Sequence, residues 1–226
     1  MKLSLKLAAI LALGFGAMIA RADIVITAGN TGSLNDSNLL FNGTGDLNSS
    51  ATTTPFQLIG HLNTTTAPHV TVEAAEPFNA ITGGGQATIQ ANDGGLDYLK
   101  FFLGPPQGGV FTSLIFNLNA VADGSVTITA IEGVNPTCLA GGCLTTTLVP
   151  LALDGNGSNW FTTVAIDGQN IANVFLTSSV DLSSVRQVRL GGENLGTTIV
   201  PEPSAMVLLV TFLGALAFWK RKRFSA

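Results

Sequence analysis

From Asp23 onward, apolar and polar residues alternate over short runs, the period of two expected of a strand with one buried face. Such runs are Ile24 to Thr27, Phe56 to Leu62, His69 to Ala74, Ala87 to Gln90, Tyr98 to Leu103, Val110 to Leu118, Ser125 to Ile131, Leu144 to Leu151, Trp160 to Ile166, Ala172 to Leu176 and Val185 to Leu190. Turn-forming clusters stand between them, among them Asn92-Asp93-Gly94-Gly95, Ala122-Asp123-Gly124-Ser125 and Asp154-Gly155-Asn156-Gly157-Ser158. About ten strands spaced this way predict an all-β domain over residues 23–199, an antiparallel β-sandwich of jelly-roll type. Val110 to Ile131 reads as a hairpin folded at Asp123-Gly124. Residues 30–54 depart from the pattern: rich in Ser, Thr, Asn and Gly with few apolar anchors, they are expected to form a polar loop or poorly ordered edge.

The pattern breaks at both ends. Lys2 and Lys6 precede an apolar run from Leu7 to Ala20, and Ala20-Arg21-Ala22 places small residues where a signal peptidase needs them, so residues 1–22 read as a signal helix cleaved before Asp23. At the other end, Ala205 to Trp219 is a 15-residue stretch without charge, followed by Lys220, Arg221, Lys222 and Arg223. A helix of that length rises about 22 Å, short of the roughly 30 Å hydrocarbon core, so it predicts a marginal transmembrane helix. The basic cluster acts as a stop-transfer signal and stays in the cytoplasm by the positive-inside rule. Everything before it is then placed outside, as the signal helix also requires.

The residues ahead of this span are Val200-Pro201-Glu202-Pro203-Ser204-Ala205. With the apolar run and basic tail that follow, they resemble the PEP-CTERM protein-sorting signal, over about the last 27 residues of the chain. The resemblance implies processing by an exosortase, an integral-membrane cysteine transpeptidase-like enzyme of Gram-negative bacteria, often associated with exopolysaccharide and biofilm. The residues suit such a site. Pro201 and Pro203 each disfavour helix in the residue before them, so the segment should be extended and accessible. The plainer reading is a stiff spacer above a single-pass anchor.

Charge narrows the partners. Seven of the ten cations lie in the two end segments, leaving Lys100, Arg186 and Arg189 against thirteen acids, a net charge of −10 for residues 23–199. Such a surface lacks the clustered cations that displace counterions from phosphate backbones, which argues against nucleic acid as a partner. Cys138 and Cys143, the two cysteines of the chain, flank Leu-Ala-Gly-Gly in a predicted loop, and export to an oxidising compartment predicts a disulfide between them.

No catalytic or metal-binding constellation emerges, and no cofactor is predicted. His61 and His69 would need a carboxylate such as Glu73 to make a metal site, and surface or edge histidines are the simpler reading. Asp154 to Ser158 has oxygen donors at alternate positions, but Asn159 occupies the place of the EF-hand glycine and no Glu closes the loop, so a hairpin turn is the better assignment. The expected function is therefore that of a noncatalytic, exported surface protein, anchored in the membrane until processed, with extracellular polysaccharide as the contact its family association suggests. Two rivals remain open. A carbohydrate-binding module would use exposed aromatics, for which Trp160, Phe161 and Tyr98 are candidates. A glycoside hydrolase would need paired carboxylates about 5 to 9.5 Å apart in a cleft.

Overall fold

A computed structural model of the chain describes residues 24–31, 36–49, 56–65, 69–104, 109–133, 145–147 and 150–194. The expected signal segment with Ala20, Ala22 and Asp23, the cysteines Cys138 and Cys143, and the sorting segment from Pro201, Glu202 and Pro203 to Lys220, Arg221, Lys222 and Arg223 lie outside these residues. Among the described residues no helix is long and apolar enough to cross a membrane.

The described residues form thirteen strands: β1 (Ile24–Ala28), β2 (Ser37–Leu40), β3 (Phe56–Leu62), β4 (Val70–Ala74), β5 (Phe78–Gly83), β6 (Gln86–Ala91), β7 (Leu96–Leu103), β8 (Ser113–Ala120), β9 (Gly124–Glu132), β10 (Thr145–Thr147), β11 (Leu151–Leu153), β12 (Asn159–Ala165) and β13 (Ile171–Gly191). Every pairing among them is antiparallel. The fold is thus all-β, in a sandwich-like or barrel-like arrangement.

β13 organises it. Residues 171–178 of this strand pair with β9 on one edge, and residues 173–177 pair with β7 on the other. Residues 182–191 pair with β8 on one edge, and with β6 and β2 on the other. One layer therefore runs β9, β13, β7, β4, β3, and the second runs β1, β12, β8, β13, β6, β5. β2 closes the connection by pairing with both β13 and β3. Between the layers lies the core, in which Phe101, Phe116, Phe161, Leu99, Leu114 and Val185 are all but fully buried.

Several boundaries differ from the sequence pattern, each for a physical reason. Ala172 to Leu176 and Val185 to Leu190 belong to one strand. The polar stretch between them, Thr177 to Ser184, has neither Gly nor Pro, and it bulges against β7 between Thr177 and Leu182 while the chain passes from one layer to the other. There Ser178 Oγ donates to Val180 O at 2.6 Å, satisfying backbone that the ladder leaves open. The hairpin at Asp123-Gly124 does not form, for β8 and β9 do not pair. Both edges of β8 are taken by β12 and β13, and neither Asp123 nor Gly124 has the positive φ that a tight hairpin turn of type I′ needs at both central positions.

Leu144 to Leu151 supplies two short strands on β9, β10 and β11, instead of one. The polar segment 30–54 contributes β2, anchored by buried Leu39 and Phe41. Gly60 permits its approach, because a Cβ there would collide with the Leu40 carbonyl oxygen. Phe78–Gly83, absent from the sequence reading, is a strand whose apolar positions Phe78 and Ala80 are buried.

Candidate functional site

Four strands of the second layer bring one position each into line. Thr88 of β6 lies opposite Arg186 of β13, Arg186 opposite Asn117 of β8, and Asn117 opposite Trp160 of β12. Directly opposed residues share a face of the sheet. Their chain neighbours Val185, Phe116 and Phe161 point into the core, so this row lies on the outer face.

A bulge enriches the row. Arg186 and Arg189 oppose Asn117 and Ile115, so β13 carries one residue more than β8 at this point. The residue within it, Gln187, has φ of 53°, the left-handed region that non-glycine residues seldom occupy. As a result Arg186 and Gln187 are both turned outward between buried Val185 and Val188, where strict alternation would allow only one. With Gly83, Gln86, Ala87 and Ser158, these side chains line a cleft of about 380 Å³, a size that accepts a small ligand or one or two units of a polymer.

The chemistry of the cleft is polar with one aromatic wall. Trp160 supplies a partly buried indole, and Gln86, Thr88, Asn117, Gln187 and Arg186 supply amides, a hydroxyl and a guanidinium. Asn117 is only 6% exposed, yet its Oδ1 has no hydrogen-bond partner among the described residues. Arg186 is held by its Nε, which donates to Ser184 Oγ at 3.1 Å. That hydroxyl is itself buried and also accepts from Asn119 Nδ2 at 3.3 Å. Among the described residues no aspartate or glutamate lines the cleft.

The other candidates from the sequence fall elsewhere. Phe161 is buried, tilted against Phe116 at 5.9 Å, and Tyr98 packs on Phe175 at 6.4 Å in the other layer, so of the three aromatics only Trp160 lies in the cleft. The turn at Asp154 closes on itself. Asp154 Oδ1 accepts from Asn156 N at 2.8 Å, and Asn159 Oδ1 accepts from Asp154 N at 2.8 Å, which commits oxygens a cation would need. Glu73 accepts from Gln57 Nε2 at 2.6 Å and from Lys100 Nζ at 3.0 Å, while His61 Nδ1 lies 2.7 Å from Asp46 Oδ2. Both histidines are buried, not at the surface as the sequence suggests, and among the described residues no group of three His, Cys, Asp or Glu could hold a metal ion.

Two carboxyls outside the cleft are perturbed. Burial raises the pKa of Glu76, as do Asp93, Asp97 and Asp181 nearby, against a lowering hydrogen bond from the Asp97 amide. Glu193 is raised by burial and lowered in part by His69.

No protein-family model matches the chain, and no curated protein matches it. A solved structure, a family 29 carbohydrate-binding module from Piromyces equi, aligns over 74% of this chain and 87% of its own at 8% identity and a TM-score of 0.24. At that score the likeness supports no statement about this chain. The cleft rests on its own geometry.

Of its residues, only Trp160 is legible in the sequence as a saccharide-binding candidate, while Arg186 stands out there by its charge and Ser158 as part of a turn. Asn117, Gln187, Gln86 and Thr88 were not legible because their role depends on register between strands distant in sequence. One signal was present: Val185-Arg186-Gln187-Val188-Arg189-Leu190 sets two polar residues side by side in an alternating run, and contains two of the three cations of the domain.

Proposed function

We propose that this chain is an exported, noncatalytic β-sandwich of jelly-roll type, sorted to the Gram-negative envelope by its terminal segments, that binds polysaccharide through the cleft beside Trp160. The observation that carries the binding role is the row Thr88, Arg186, Asn117, Trp160 on one outer face. Sugar rings present C–H faces that pack on an indole and hydroxyls that need donors and acceptors at fixed positions, and this row has both. A buried amide oxygen without a partner costs about 1–3 kcal/mol. A ligand hydroxyl donating to Asn117 would remove that cost.

Binding is favoured over glycoside hydrolysis because hydrolysis needs two carboxyls across the scissile bond, and the cleft lining has none. The address rests on the leader before Asp23, the basic stop-transfer cluster and the Pro201-Glu202-Pro203 signal with its exosortase. A disulfide between Cys138 and Cys143 would follow from export.

Electrophoresis of the full chain in native gels containing soluble polysaccharides, with mild detergent throughout, tests the binding role. At least one polymer should retard the wild type, without release of reducing ends, and Trp160→Ala should abolish the retardation while leaving the circular dichroism of the fold unchanged. Equal mobility with and without every polymer would remove the binding role.

A further inference from the structure

The cleft carries a charge that the rest of the domain does not explain. Thirteen acids stand against three cations in residues 23–199, so each cation has an abundance of possible partners. Lys100 takes one, at 3.0 Å from Glu73 Oε2, and also lies over the Phe102 ring at 4.6 Å. Among the described residues neither Arg186 nor Arg189 forms an ion pair, and Arg189 Nε is buried without a hydrogen-bond partner. The two arginines occupy neighbouring cross-strand rows on β13, opposite Asn117 and Ile115.

We propose that the cleft selects a carboxylate-bearing sugar, a uronate unit of an acidic polysaccharide, and that Arg186 reads its carboxylate. This deepens the saccharide-binding role and rests on it. The guanidinium is suited to the task because its Nε is tied to Ser184 Oγ, which orients the plane and leaves the terminal N–H groups to form paired hydrogen bonds with a carboxylate. Gln187, brought beside it by the bulge, offers an amide to a neighbouring hydroxyl, and Trp160 receives the ring face. Acid groups are kept out of the lining, so the ligand's carboxylate meets no local repulsion.

The net charge of −10 over residues 23–199 opposes the approach of a polyanion, and screening decides which effect wins. At about 0.15 M salt the Debye length is about 8 Å, so acids on distant parts of the surface are largely masked while a contact pair in the cleft is not. The preference is therefore to be read at physiological salt.

The test runs the full chain, in mild detergent, through native gels containing polygalacturonate or alginate, each beside its carboxyl-reduced form, and dextran sulfate beside dextran. The wild type should bind a carboxylated polymer about tenfold more tightly than its reduced counterpart, as a charge-assisted pair implies. Arg186→Gln should abolish the preference, so that the carboxylated and the reduced polymer are retarded alike, whatever their common level. Trp160→Ala should lose both. If the wild type binds reduced and carboxylated polymers alike, or Arg186→Gln keeps the preference, the inference falls while the saccharide site stands. Equal, Arg186-dependent retardation by dextran sulfate overturns carboxylate selectivity in favour of a general anion site. If no saccharide binds, both readings fall.

Discussion

Phe101 of β7 stacks on Phe116 of β8 with ring centroids 5.9 Å apart and planes at 15°, although the two strands share no hydrogen bonds. The contact joins the two layers at the centre of the core, beneath the row that carries the cleft. Phe116 also meets Phe161, its register partner on β12, so one side chain ties three strands together. Phe116→Ala is expected to cost about 3–5 kcal/mol. In a double-mutant cycle with Phe101→Ala the pair should show a coupling of about 0.5–1.5 kcal/mol. Urea denaturation of the four proteins gives the numbers, and strict additivity would mean that the rings do not interact.

Glu76 gives the domain a dependence on pH. Its carboxyl is held above the ordinary value of 4.5, first by burial and then by the charges of Asp93, Asp97 and Asp181. A raised carboxylate pKa means that the folded state binds more protons than the unfolded state, so stability is greatest below the ordinary value and falls as pH rises toward the raised one. Glu193, also raised, acts in the same direction. Glu76→Gln should keep an acceptor for the Asp97 amide while removing the charge, so its thermal midpoint should decline less than that of the wild type between about pH 4 and 7. Parallel pH profiles for the two proteins would show that Glu76 contributes nothing to the decline.

Much of the fold could be read along the chain, because alternation reports one buried face whatever the partner strand is. Phe56–Leu62 agrees in both boundaries, Ile24–Ala28 differs by one residue at one end, and Gln86–Ala91 and Gly124–Glu132 differ by one residue at each end. Pairing could not be read in this way. Asp123-Gly124 looks like a hairpin turn in sequence and yet joins strands of different layers. β2 was hidden because only Leu39 and Phe41 anchor it in a polar stretch, and the close approach that makes room for it comes from Gly60, on another strand. The cleft was hidden for the same reason. Trp160 could be chosen as an aromatic, but nothing local joins it to Asn117, 43 positions earlier, or to Arg186, 26 positions later.

Gln187 holds the bulge that turns Arg186 and itself toward the cleft. Its φ of 53° suits glycine and is poorly tolerated by β-branched side chains. Gln187→Gly should leave stability within about 1 kcal/mol of the wild type, since relief of strain offsets the greater freedom of the unfolded chain. Gln187→Val should cost about 1–3 kcal/mol. Chemical denaturation of both variants checks the order. If the valine variant is as stable as the glycine one, residue 187 does not sit in the left-handed region.

The address of the protein is tested at the other end of the chain. Ala205 to Trp219 is 15 residues long, a rise of about 22 Å if helical, which suits a segment held briefly in the membrane better than a permanent anchor across about 30 Å of hydrocarbon. Mismatch of this size costs only fractions of a kcal/mol per ångström, so the segment can still stall with Lys220 to Arg223 inside. Pro201 and Pro203 each disfavour helix in the residue before them, so an extended substrate for a transpeptidase-like enzyme is the expectation. In a host with an exosortase the wild type is expected to lose its C-terminal peptide. Replacing Pro201, Glu202 and Pro203 together by Ala should block that loss and leave the protein in the membrane fraction. An unchanged thermal midpoint of the domain in the variant would separate loss of sorting from loss of folding. A plain stop-transfer anchor predicts identical fates for both forms, so recovery of Phe224-Ser225-Ala226 from each would exclude sorting and leave a single-pass membrane protein.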